Sequence, residues 1–197
     1  MIADAILDKA LSYEEYRKLL HELIQQNKTT GSNQTEQLLA YARLNIQRMN
    51  RLDKQVVVTE EFRQAVMRIQ KPIVWLVLTE GWCGDAAQNL PVLAKAAQLN
   101  ERIRLKLILR DEHLDIMNQY LFNGTRSIPR LIMIDTLSGK DLAVWGPRPA
   151  EAQQLVSASR QAGLSHEQWA EKLHGWYAVD KSQKIQEEFV NVLQSIV

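Results

Sequence analysis

Cysteine is almost missing from this chain: Cys83 is the single one in 197 residues. That excludes an intramolecular disulfide, a Cys-x-x-Cys redox pair and a multi-cysteine metal site, so any sulfur chemistry here is monothiol chemistry. Charge of one sign is lacking as well. Twenty-four Lys+Arg against 23 Asp+Glu leave a formal net charge of +1, which excludes the strongly basic surface that bulk nucleic-acid binding requires. No apolar run approaches the roughly 18 residues of a membrane span. The segment MIADAILDKALSYEEY (1–16) is acidic early and lacks the basic stretch followed by an apolar run of a secretory signal. These absences and the lone thiol set the expectation of a cytoplasmic protein with no nucleic-acid or membrane partner. Gly-rich phosphate loops and Ser-His-Asp arrangements are absent too, and His21, His113, His166 and His174 lack the i, i+4 or carboxylate grouping of a metal site, so they read as solvated helix residues.

What is present is ordinary globular material, 46% hydrophobic, enough at this length for one domain with appended elements. Ser12 with Glu15 forms a capping box, after which Tyr16, Leu19, Leu20, Leu23 and Ile24 recur at helical spacing up to the polar break KTTGSN (28–33). A second arm, about 34–51, carries Leu38, Leu39, Ala42, Ile46 and Met49 on one face. Its Arg43, Arg48 and Arg51 read as solvating a surface or pairing with carboxylates. The spacing predicts a helical extension over 1–55.

From Val56 the rhythm turns to alternating strand and helix. The expected order is a short strand at Val56–Val58, a helix capped by Thr59, a buried strand IVWLVL (73–78), a helix from Gly84 with Pro91 inside it, and a strand RIRLKLIL (102–109). A helix over about 112–122 stopping at Asn123-Gly124 comes next, then the hairpin LIMID (131–135) and DLAVW (141–145), and a helix over about 149–162. The C-terminal extension, 163–197, reads as two helices. The first is capped by Ser165 with Gln168; the last shows Ile185, Phe189, Val192, Leu193 and Ile196 on one face. Trp169, Trp176 and Tyr177 read as core between these helices and the sheet.

The order β-α-β-α-β-α-β-β-α over 56–162 resembles the thioredoxin-like superfamily. Trp82-Cys83-Gly84 falls where that family has Trp-Cys-Gly-Pro-Cys. Pro91 falls at its helix kink, RSIPRLIMI (126–134) at its cis-proline segment, and Gly146 at the glycine before its last helix. The wider pattern TEGWCGDAAQNLP, RDEHLDIMNQYLFNG and WGPRPAEAQ resembles a bacterial single-cysteine subgroup. The resemblance implies an α/β thioredoxin-like fold, a mixed central sheet flanked by helices, with extra helices at both ends. It places Trp82, Gly84, Asp85, Ala86, Ile128 and Pro129 around Cys83, with Ile128–Pro129 cis and the backbone of Ile128 free to pair with an extended substrate. Ala86 stands where the family has its resolving cysteine, and Val77 where it has a buried aspartate that assists proton transfer. The attacking half of a dithiol site is thus kept and the resolving half lost.

The resemblance puts Cys83 half exposed at a helix N-terminus, a position that lowers a thiol's pKa from its free value of about 8.5. Asp85 opposes this. At ~6 Å its charge contributes roughly 0.7 to 3 kcal/mol against roughly 0.3 to 1 kcal/mol from the helix dipole. Arg130 and Arg148 are the candidate thiolate-stabilising or anion-binding cations, Arg126 a weaker third. Arg148 reads equally as a helix-entry residue paired with Glu151, and an inert buried thiol is the lesser alternative for Cys83.

Three functions fit. One is a monothiol thiol-disulfide oxidoreductase acting on a protein or small-molecule disulfide, needing no bound cofactor and using a low-molecular-weight thiol as resolving partner. The second is a redox-inactive binding module for a peptide or small anionic ligand. The third is a thiol peroxidase or thiol transferase. Substrate and oligomeric state are not set by the sequence.

Overall fold

The computed structural model describes residue 2 and residues 4–196. Four strands form one mixed sheet in the order β2-β1-β3-β4. β1 (Ile73–Thr79) runs parallel to β2 (Ile103–Leu109) and antiparallel to β3 (Arg130–Asp135), which pairs antiparallel with β4 (Asp141–Trp145). Every residue of β1 is buried, as an unbroken apolar run in a sheet covered on both faces requires.

Before the sheet lie α1 (Asp4–Lys9), α2 (Tyr13–Gln25), α3 (Glu36–Gln55) and α4 (Glu60–Met67). The capping box of α2 forms in full, with Ser12 Oγ accepting from Glu15 N–H and the Glu15 carboxylate accepting from Ser12 N–H. α1 was not visible in the sequence pattern. Behind it, Leu11 exchanges both backbone hydrogen bonds with Leu107, which covers the outer edge of β2.

Two expected elements differ. Val56–Val58 is not a strand: Val56 ends α3, and the carbonyls of Val56 and Val57 accept from the side chains of Lys95 and Gln186. These side chains satisfy backbone groups that would otherwise need a partner strand. The helix expected over 112–122 shrinks to a 3-10 turn, Arg110–Glu112, and a short α6 (Leu114–Met117). Glu80 Oε1 accepts the Asp111 N–H and Arg130 Nε donates to the Tyr120 carbonyl, so two tertiary partners fix the backbone on either side of α6.

α5 (Gly84–Ala97) follows β1 directly and carries Pro91 inside it; α3 packs along it. After the sheet come α7 (Ala150–Gln161), α8 (His166–Asp180) and α9 (Gln183–Gln194). α9 lies against α4, and its Phe189 meets Phe62, Trp75 and Trp145 edge-on at centroid distances of 5.9, 5.5 and 5.2 Å. The other aromatic cluster differs from expectation. Tyr177, with Trp169 and Trp176 beside it, packs on Ala152 and Val156 of α7 as a separate small core rather than on the sheet.

Candidate functional site

Cys83 is the N-cap of α5. Its Sγ accepts the Ala86 N–H at 3.4 Å, and its S–H donates to the Ile128 carbonyl at 3.3 Å. The residue is 8% exposed, not half exposed. Burial pushes the thiol up to about 12, and the Asp85 carboxylate adds to that; the Ala86 N–H and Arg148 pull weakly the other way. At neutral pH the sulfur therefore carries its proton, which the bond to the Ile128 carbonyl uses. That carbonyl is not free, contrary to expectation, although no protein group among the described residues accepts the Ile128 N–H.

The balance of charge beside the thiol is settled by a buried network. Arg148 donates to Asp85 Oδ2 from Nη2 at 2.6 Å and from Nε at 3.0 Å, and to Gln153 Oε1 at 2.8 Å. Tyr177 donates to the other carboxylate oxygen at 2.7 Å and accepts from Asn89 Nδ2 at 3.1 Å. Arg148 is thus spent on Asp85, while Glu151, its alternative partner by sequence, pairs with Lys184 instead.

Arg130 does not approach the thiol. Its guanidinium donates to the carbonyls of Tyr120 and Gly146, lies 5.7 Å over Phe122 and lines a different cavity from Cys83. The Ile128–Pro129 and Gly146–Pro147 peptides are both cis. Gly146, at φ +108, brings its Cα so close to β3 that a Cβ there would lie 2.2 Å from the Pro129 carbonyl oxygen. Ala86 and Val77 are buried, and neither carries an ionisable group.

Trp82, Cys83, Gly84, Asp85, Ile128 and Arg148 all line one cleft of about 430 Å³. Sequence reasoning missed its far wall. α3 contributes Leu38, Tyr41, Asn45 and Arg48, and α8 contributes His166, Trp169, Leu173 and His174, both at helical spacing along one face. Arg48 and His174 crowd the start of α5: a Cβ on Gly84 would meet His174 Cε1 at 3.1 Å and Arg48 Nη1 at 3.5 Å. Arg48, read from sequence as solvated or paired with a carboxylate, donates to Asn45 Oδ1 at 2.9 Å and forms no salt bridge among the described residues. Burial and the nearby Arg51 lower its pKa. His174 is not a solvated residue either. Burial and Arg48 lower it to about 4, so it is neutral at pH 7, and its Nδ1 is buried without a partner among the described residues. Arg126 also borders the cleft with an amide, Asn118, as its partner, and Arg110 covers Trp82 at 4.9 Å. No spacing rule links residues 41–48 and 166–174 to Cys83; only the packing of α3 and α8 does.

A sheet of this order, a thiol capping the helix after β1 and a cis-proline segment opposite it define a thioredoxin-like α/β protein. A family model described as thioredoxin matches residues 31–164, and the chain belongs to that family. No curated protein matches it. Two solved structures share the fold. One is a protein of unknown function from Pseudomonas aeruginosa, 18% identical, with a TM-score of 0.56 over 95% of this chain and 99% of that one. The other is an HIV epitope-scaffold, 17% identical, with a TM-score of 0.59 over 95% of this chain and 100% of that one. Among the described residues no helix is long and apolar enough to cross a membrane.

Proposed function

We propose that this chain is a thioredoxin-fold binding module whose cleft above Cys83 holds a small anionic ligand, with the thiol kept protonated in its floor. The observation that carries this is Arg48, a partly buried cation with no acidic partner among the described residues, beside neutral His174 at the start of α5. A partly buried guanidinium with no ion-pair contact, Asp85 acting on it only from a distance while held by Arg148, gains charge and hydrogen bonds from an anion entering the cleft. The amide groups at the first turn of α5 favour the same sign.

Calorimetric titration of the full chain with citrate and with inorganic phosphate tests this. Binding of at least one probe, weakened tenfold or more by Arg48→Ala and retained by Cys83→Ser, is expected. Absence of binding by both, or indifference to Arg48→Ala, rejects it.

One contact favours a second reading, the monothiol oxidoreductase: the Ala86 N–H points at Sγ, which stabilises a thiolate whenever one forms. In that cycle the Cys83 thiolate attacks R–S–S–R, forming Cys83–S–S–R and releasing RS⁻. A low-molecular-weight thiolate R′S⁻ then attacks the R sulfur, releasing R–S–S–R′ and restoring Cys83. Mass spectrometry after exposure to an oxidised low-molecular-weight thiol at neutral pH decides it. An adduct forming faster than on free cysteine supports exchange; one forming no faster leaves only binding.

A further inference from the structure

Resting on the anion-binding reading, we infer that the ligand is an elongated aromatic acid, with its carboxylate or phosphate at Arg48 and His174 and its ring near Tyr41, His166 and Trp169. The two helices that form the far wall are arranged in the same sense. On α3 the ring residue Tyr41 precedes Arg48 by seven positions, and on α8 His166 precedes His174 by eight. The ring ends meet each other: Tyr41 lies 6.4 Å from His166, and His166 lies 4.6 Å from Trp169, edge to face. The other ends, cationic Arg48 and neutral His174, meet over Gly84. At 1.5 Å rise per residue the ends are about 10 to 12 Å apart along the helices, so π surface gathers at one end, where Arg160 lies 4.9 Å over the Trp169 ring, and Arg48 stands at the other.

A bare anion such as phosphate fills only the charged end and leaves the rings wet. An acid with a saturated tail buries apolar surface against them, and an aromatic tail adds ring-to-ring geometry, about two- to tenfold in affinity. A volume of about 430 Å³ lies within the range of small-molecule sites.

The test is calorimetric titration of the full chain with 4-phenylbutyrate, its saturated counterpart 4-cyclohexylbutyrate, butyrate and 3-phenylpropyl phosphate. Both phenyl probes should bind, 4-phenylbutyrate at least twofold tighter than the cyclohexyl acid and at least tenfold tighter than butyrate, and the tighter of the two phenyl probes identifies the head group. Trp169→Leu should erase the preference for the phenyl ring and Trp169→Phe retain it, while Arg48→Ala weakens every probe. Equal affinity for all three carboxylates overturns the ring end while leaving the anion site standing. Loss of ring preference in Trp169→Phe as in Trp169→Leu, or a preference that survives Trp169→Leu, overturns the placement. Failure of all four probes together with citrate and inorganic phosphate rejects the underlying reading itself.

Discussion

At Cys83 burial and the Asp85 carboxylate act against a helix-terminal amide and Arg148, and the first pair prevails. The reason is that Arg148 is held 2.6 Å from the same carboxylate, so the two charges largely cancel at the sulfur while desolvation remains. Iodoacetamide alkylation of Cys83 should therefore be slower than that of free cysteine at pH 7 to 8 and should keep rising above pH 9. Asp85→Asn should shift this profile to lower pH, because it removes the repelling charge and leaves Arg148 uncompensated. Rapid alkylation of the native protein at pH 7 contradicts the assignment. Gly146 supports the same region through backbone shape. A methyl there meets the Pro129 carbonyl at 2.2 Å in a φ region that side chains rarely adopt, so Gly146→Ala should lower unfolding stability by about 2 to 3 kcal/mol or more in urea titration.

Among the elements, α8 is tied to α5 by one hydroxyl. Tyr177 donates to Asp85 and accepts from Asn89 in a buried setting, and burial together with Asp85 raises its own pKa. Tyr177→Phe should cost about 1 to 3 kcal/mol, since it strands two buried polar partners. A double-mutant cycle with Asp85→Asn should show coupling of at least about 0.5 kcal/mol; additive losses would mean that the contact does not link the helices. The expected helix caps at Ser12, Thr59 and Ser165 all form. Local chemistry sufficed there, because a cap needs only a side-chain oxygen and an amide three residues on. It failed at Val56–Val58 and at 112–122, where Lys95, Gln186, Glu80 and Arg130 reach in from distant elements.

Across the whole molecule, α9 completes the core. Phe189 is fully buried among Phe62, Trp75 and Trp145, and Phe189→Ala should destabilise by about 3 to 5 kcal/mol in chemical denaturation. Alkaline stability has a definite sign. The Cys83 thiol ionises near ~8.5 to 9 when unfolded but only near about 12 when folded. Between those values the unfolded chain binds fewer protons, so its contribution to stability is complete below pH ~8.5 and declines as pH rises. From pH 9 to 10, below the main titration of unfolded tyrosines, the native protein should lose about 1 kcal/mol more than Cys83→Ala, as read from urea midpoints.

The sequence alone determined the alternation of strand and helix from β1 onward, the absence of a resolving cysteine, and the position of Cys83 at a helix start. Those follow from periodicity, residue count and local turn chemistry, which act over a few residues. The tertiary structure alone decided that the thiol is buried and protonated, that Arg148 serves Asp85, and that Arg130 faces elsewhere. It also brought Arg48, Trp169 and His174 into the cleft that Cys83 lines, from helices about 35 residues before it and 86 to 91 residues after it. Burial and charge pairing depend on which surfaces meet, and only packing sets that.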